Sequence, residues 1–316
     1  MNSWCAVWPR RIVGLRVVLL LVALAVGAGF ALAFGMSGVG AKNYSAYADP
    51  QKPVLAFLLA DDRNREEFKK QFGLSDEKMQ EILAVVREEN GALSREYEET
   101  NQIVEANEGA SEKEIRNKIA ASDFDEKVKR AVAGTKSDVK KLLPKREAGD
   151  LRSWVDDQFQ AETVTYTAAS EDTYQASSVG YSCKVWATYY SDKSDYWVAL
   201  PHWKVRFSGG RKVRVTDIQT GTSARAPVKD TGPWNTRDNY WRIKKYRSMW
   251  NDLPRCVPEA AAAYYDNYNR GKDQFGREVL NPAAIDITPA VARRMDVWRK
   301  IQRRGLIRVR VRYLWR

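Results

Sequence analysis

Histidine is nearly missing from this chain. His202 is the single one among 316 residues, and the three cysteines, Cys5, Cys183 and Cys256, include no Cys-x-x-Cys pair. Zinc-type centres need clustered His and Cys ligands, so such a centre is excluded. Neither a metal nor a cofactor is expected. Long apolar runs are missing too, with one exception near the start. Acidic side chains are absent from the first 48 residues, which carry four basic ones.

The exception is the run from Ile12 to Phe34, which holds Arg16 near its start and no other charge. A membrane-spanning helix needs about 20 apolar residues, so this segment is long enough. Arg10, Arg11 and Arg16 sit before or at its start, which places them in the cytoplasm and the rest of the chain outside. A cleaved signal peptide is the rival, with small-residue patterns at Ala31-Leu32-Ala33 and Ala46-Tyr47-Ala48. Both readings place the chain outside the cytoplasm: membrane-anchored in a single pass, or secreted and wall-associated after cleavage. They argue against genomic nucleic acid as a partner and leave the membrane as a partner through the N-terminal helix.

Charge is distributed unevenly. Residues 49–180 carry 20 basic and 28 acidic side chains, whereas residues 181–316 carry 28 basic and 12 acidic. A segment with a net +16 is suited to a polyanion. Outside the cytoplasm that means anionic lipid or an anionic wall polymer. Cys183 and Cys256 fall on the oxidising side, where disulfides persist. They form either a bridge or two buried thiols.

The pattern divides the chain into five parts: an anchor or signal peptide (1–36), a linker (37–63), a helical spacer (64–160), a second linker (161–180) and a C-terminal domain (181–316). The spacer has apolar residues at helical spacings, among them Phe68, Phe72, Met79, Ile82, Val86, Leu93 and Tyr97. Ser75 is read as an N-cap. Ser111 with Glu114 reads as a capping box. The spacer surface is a solvated face, with a protein partner as the alternative. After residue 180 the period changes to two, as in Lys212-Val213-Arg214-Val215-Thr216 and Ile307-Arg308-Val309-Arg310-Val311, which predicts strands. The class expected is a multidomain α+β protein.

Four pieces of the C-terminal domain occur in a telling order. They are Ala187-Thr188-Tyr189-Tyr190, then Ala199-Leu200-Pro201-His202 with Gly210 to Asp217, then Asp230-Thr231-Gly232-Pro233-Trp234, and finally Ile285-Asp286-Ile287-Thr288-Pro289. The series resembles the double-psi β-barrel domain of rare lipoprotein A, which includes lytic transglycosylases and is related in fold to expansins. The resemblance covers about residues 181–316 and implies a six-stranded barrel with an insertion at 235–281. It also implies peptidoglycan, or another anionic wall glycan, as the partner.

On that resemblance Asp286 is the acid/base, Asp230 the second carboxylate of the cleft, and His202 a residue that orients the acid or binds sugar. Asp195 is a loose match to a further family aspartate. Trp234, Trp241 and Tyr189 are the candidates for sugar stacking. The bland alternatives are a helix-capping Asp286, a turn-forming Asp230, a packing His202 and a loop Asp195. The expected activity is non-hydrolytic cleavage of the glycan strand, with a non-catalytic, expansin-like or scaffold role as the alternative. Two departures are visible. The family's glycine-glutamate element between Tyr190 and His202 is missing, and the 235–281 segment is long. That segment holds Tyr246, Trp250, Tyr264, Tyr265 and Tyr268, which form either a glycan platform or their own core.

Overall fold

A computed structural model describes residues 52–171, 181–190, 195–207 and 210–315. The 1–36 anchor or signal segment lies outside these residues. No described helix is long and apolar enough to cross a membrane.

Among the described residues six helices come first: α1 (Val54–Leu58), α2 (Asp62–Gln71), α3 (Asp76–Ala106), α4 (Glu112–Ala120), α5 (Phe124–Leu142) and α6 (Leu151–Glu171). Their starts follow from local chemistry. Ser75 accepts a hydrogen bond from the Lys78 amide, and Ser111 and Glu114 form the reciprocal capping box. Two expected linkers are corrected. Within 37–63 lies α1, whose Val-Leu-Ala-Phe-Leu residues are all buried. Within 161–180, α6 continues to Glu171. Polar composition misled in the second case, because Thr, Ser and Ala are tolerated in a helix that has already started.

The C-terminal region is a closed six-stranded barrel. Its strands are β1 (Ser182–Tyr189), β2 (Val198–Leu200), β3 (Lys212–Asp217), β4 (Ser223–Thr231), β5 (Ala283–Ile287) and β6 (Ile307–Tyr313). They lie in the order β1-β5-β2-β4-β3-β6, with β6 returning to β1. The β1–β5 and β2–β4 pairs are parallel and the others antiparallel. Alternation places Ile307, Val309, Val311 and Tyr313 inside and leaves Arg310 exposed. A helix between β2 and β3, α7 (Trp203–Phe207), and three more, α8 (Glu259–Asp266), α9 (Pro289–Arg294) and α10 (Trp298–Arg304), decorate the barrel. A disulfide joins Cys183 on β1 to Cys256 in the insertion.

The helical residues do not stand apart as a spacer. Phe68, Val86, Leu93, Val128 and Phe159 share one core with Trp234, Ala260–Tyr265 and Val279 of the C-terminal region. Phe57 packs edge-on against Trp186 of β1 at 5.3 Å and Tyr264 at 5.4 Å. Lys52, fully buried, donates to the Ala263 and Tyr264 carbonyls at 3.0 and 2.8 Å. Tyr264, Tyr265 and Trp241 are therefore core residues, and the glycan-platform reading of the insertion is corrected for them. Tyr246 alone among the named insertion aromatics is strongly exposed, at 54%.

This shared core predicts the behaviour of an isolated barrel. A fragment of residues 181–316 would uncover Trp234, Tyr264 and Tyr265. Each buried side chain contributes about 1.5–3 kcal/mol, and a whole domain retains only about 5–15 kcal/mol of net stability. The fragment is expected to bind a hydrophobic dye and to lack a sharp thermal transition. A cooperative transition within a few degrees of the full chain's would contradict the shared core.

Candidate functional site

Asp286 is on β5 between Ile285 and Ile287. The isoleucines are fully buried, and Asp286 points the other way with part of its surface open. Two irregularities in register fix its neighbours. A shift after Trp186 sets Thr188 of β1 opposite Asp286. A shift after Val198 moves the pairing of β2 from Val228 to Asp230, so Ala199 lies between Asp286 on one side and Asp230 on the other. Such bulges re-aim side chains at functional sites. The two aspartates are thus two strand spacings apart, about 9–10 Å between Cα atoms.

The polar contacts form a connected set. Thr188 donates its hydroxyl to Asp286 Oδ1. Tyr190 donates to Asp230 Oδ2 at 3.2 Å, and the Thr231 amide donates to Asp230 Oδ1 at 2.8 Å. Gly232 has φ +150, and a methyl on its Cα would lie 3.3 Å from Asp286 Oδ2 and 3.9 Å from the Tyr190 hydroxyl. The absent side chain is what lets the lip after β4 close over the acid. Asp230, Tyr190, Gly232 and Asp286 are therefore half-buried neighbours at one end of the barrel strands.

The electrostatics assign distinct roles. The Asp286 pKa is pushed up to about 7, first by burial and then by the charges of Asp230 and Glu98, with the Thr188 bond opposing. At neutral pH a large share of Asp286 is protonated, as a proton donor requires. Tyr190 is held well above the usual phenol range, mainly by burial and also by both aspartates, so it stays a hydrogen-bond donor.

The other sequence candidates fall elsewhere. His202, two residues past β2, is buried and shares a 3.0 Å hydrogen bond with Ser248. Its Nδ1 is buried without a partner. Burial and then Lys204, Arg211, Arg237 and Arg242 push its pKa down to about 4, so it is neutral at pH 7. Among the described residues, no hydrogen bond or ion pair joins it to either aspartate, and the orienting role is corrected. Asp195 sits exposed in a bend. Trp234 and Trp241 are buried, Trp234 against Tyr97 at 4.4 Å and Trp241 stacked on Tyr313 at 5.1 Å, so neither offers a face to sugar. Tyr189 packs edge-on against Trp298 at 5.3 Å. Thr288 starts α9 with Pro289 behind it, but its hydroxyl donates to the Trp197 carbonyl at 3.0 Å instead of capping the helix.

Thr188 and Tyr190 belong to the site although sequence reasoning gave them no role, and Gly232, part of the Asp-Thr-Gly-Pro turn, lies against Asp286. Thr188 near the end of β1 and Tyr190 just past it lie two apart in extended backbone, which places them on one face. That Asp286 and Asp230 share this face depends on register, which spacing alone does not reveal. No cluster of three or more His, Cys, Asp or Glu able to hold a metal occurs among the described residues.

A family model described as a domain of unknown function (DUF8814) matches residues 173–305, a span that includes both aspartates. No curated protein and no solved structure matches the chain.

The raised Asp286 pKa has a consequence for stability. An acid whose folded pKa lies above its unfolded value destabilises the fold as pH rises between the two. Below about pH 4 both states are protonated and the effect vanishes. Asp286→Asn is therefore expected to melt higher than wild type at pH 8 and to lose that advantage towards pH 4. Thermal melts across this range check it. An Asn protein less stable than wild type at pH 8 would contradict the buried-acid assignment.

Proposed function

We propose that this chain acts outside the cytoplasm on the glycan strands of peptidoglycan, with Asp286 as the acid/base of a lytic transglycosylase. The observation that carries the reading is a protonatable carboxyl on the same barrel face as a second carboxylate, two strands away, both of them half-buried. A closed six-stranded barrel with two parallel pairs supports the double-psi assignment, as does the order of the four motifs. The net +16 of residues 181–316 supports an anionic polymer as partner, with binding that weakens in salt. The apolar 12–34 run supports export, with retention at the membrane if the segment is not cleaved.

The chemistry uses one acid twice. Protonated Asp286 gives its proton to the glycosidic oxygen as the bond from the muramic carbon breaks, and the bonding pair leaves with that oxygen. The sugar's own 6-hydroxyl then attacks the same carbon. Asp286, now a carboxylate, takes the hydroxyl proton, and a 1,6-anhydro ring closes with no water consumed. Asp230, held by Tyr190 and the Thr231 amide, is placed to accept a hydrogen bond from a sugar hydroxyl. This differs from ordinary glycosidases, where a second carboxylate attacks or activates water. The runner-up is a cleft that binds glycan without cutting it. The missing glycine-glutamate element of the family favours that reading.

The full chain, incubated with purified peptidoglycan, is expected to release anhydro-muropeptides detectable by mass spectrometry. Asp286→Asn is expected to lower the rate by about 100-fold or more, the usual contribution of a general acid. Retained sedimentation with the wall and no anhydro product from wild type would replace cleavage with binding.

A further inference from the structure

Helix α3 reaches the lip of the cleft through a built contact. The Trp234 amide donates to the Tyr97 hydroxyl at 2.8 Å, and the two rings lie 4.4 Å apart. Behind them is Arg277, almost wholly buried. Its guanidinium donates to the Trp234 carbonyl at 2.7 Å, to Asn101 Oδ1 at 2.6 Å, to Thr100 Oγ1 at 3.3 Å and to Asp273 Oδ2 at 2.7 Å. It also lies 4.8 Å from the Tyr97 ring centre. One cation thus fixes α3 and the segment carrying Gly232 to each other.

Tyr97 is half-buried there. Its oxygen accepts the Trp234 amide, which leaves its own proton to be donated. Burial pushes its pKa up to about 12, so that proton is retained. Glu98 is the next residue, on the exposed side of the helix, beside the Tyr97 hydroxyl that holds the Trp234 amide two residues from Gly232, and its negative charge works against ionisation of Asp286.

We propose that α3 is the second wall of the glycan cleft, with Tyr97 donating a hydrogen bond to a sugar hydroxyl and Glu98 as a positioning residue that acts through Asp286. The proposal rests on the glycan reading above and assigns that site's other half. Among the described residues, the groups that bear on Asp286 are Thr188 from β1, Tyr190 just after it, Asp230 from β4, and Tyr97 and Glu98 from α3. The charge of Arg277 is paired with Asp273. Among the described residues, Asp230 and Glu98 are therefore the anions that favour the protonated acid, Asp230 from the barrel and Glu98 from the helical part. Neutralising it favours the carboxylate, so the midpoint falls.

The test uses the full chain with its aspartate carboxyl carbons labelled. The Asp286 signal is followed against pH by NMR in wild type and in Glu98→Gln. A charge removed across a partly solvated cleft is expected to lower the midpoint by about 0.5 pH unit. In the same protein the alkaline limb of anhydro-muropeptide formation moves down equally. Tyr97→Phe keeps the ring stack and is expected to raise the half-saturating glycan concentration about 3- to 10-fold, with turnover within about twofold. If wild type binds but does not cut, the dissociation constant replaces half-saturation. An unmoved Asp286 midpoint in Glu98→Gln, or unchanged glycan affinity in a Tyr97→Phe protein that melts like wild type, overturns the proposal. A moved midpoint with no anhydro product retires the cleavage reading and leaves α3 beside the acid.

Discussion

The buried guanidinium of Arg277 is the constraint on which the arrangement depends. A cation taken out of water is costly unless its charge and its donors are all matched. Here Asp273 supplies the charge, and the Thr100 and Asn101 side chains and the Trp234 carbonyl take the remaining hydrogen bonds. Those partners come from helix α3, from the lip after β4 and from the end of the insertion. The three segments can satisfy the cation only in one relative position. That position sets Tyr97 against Trp234 and lets the helices and the insertion bury a common core. A second buried pair, Arg247 with Asp238, does the same inside the insertion, where Arg247 also donates to the Val257 and Pro254 carbonyls.

With the lip held, the barrel does the rest of the positioning. Two bulges bring Thr188 and Asp230 onto the strand face that carries Asp286. A strand presents alternate residues to opposite faces, so the same alternation that buries Ile285 and Ile287 in the barrel turns Asp286 outward. Gly232 then closes over the acid at a distance any side chain would crowd. Desolvation raises the acid's pKa, and the second carboxylate raises it further. An acid poised near neutrality and held by one hydroxyl is a stability cost that the core offsets, as at many functional sites.

Much of this was legible in the sequence, and the boundary is instructive. Period-two alternation identified β3 and β6, and the capping residues Ser75 and Ser111 marked the starts of α3 and α4. In the Ile285-Asp286-Ile287 triplet the outward Asp286 follows from strand alternation alone. Contacts between distant segments were not legible. Tyr97 looked like one more residue of an apolar stripe, and nothing local says that its hydroxyl meets the Trp234 amide 137 positions away. His202 matched a motif but is held by Ser248 in a buried, strongly cationic setting that spacing does not report. Tryptophans that looked like sugar platforms proved to be packing residues, because aromatic content does not distinguish a surface from a core. Parts of the segments read as linkers are helical, Val54–Leu58 in the first and the continuation of α6 to Glu171 in the second.

The account comes down to one location for the glycan: over Asp286 and Asp230, between the lip and helix α3. The most direct measurement is an experimental structure of the chain bound to a peptidoglycan oligosaccharide. The account predicts a glycosidic oxygen within about 3 Å of the Asp286 carboxyl, the reach of a proton donor, with Tyr97 touching an adjacent sugar. A saccharide bound on any other face, with the Asp286 cleft left to solvent, would contradict it.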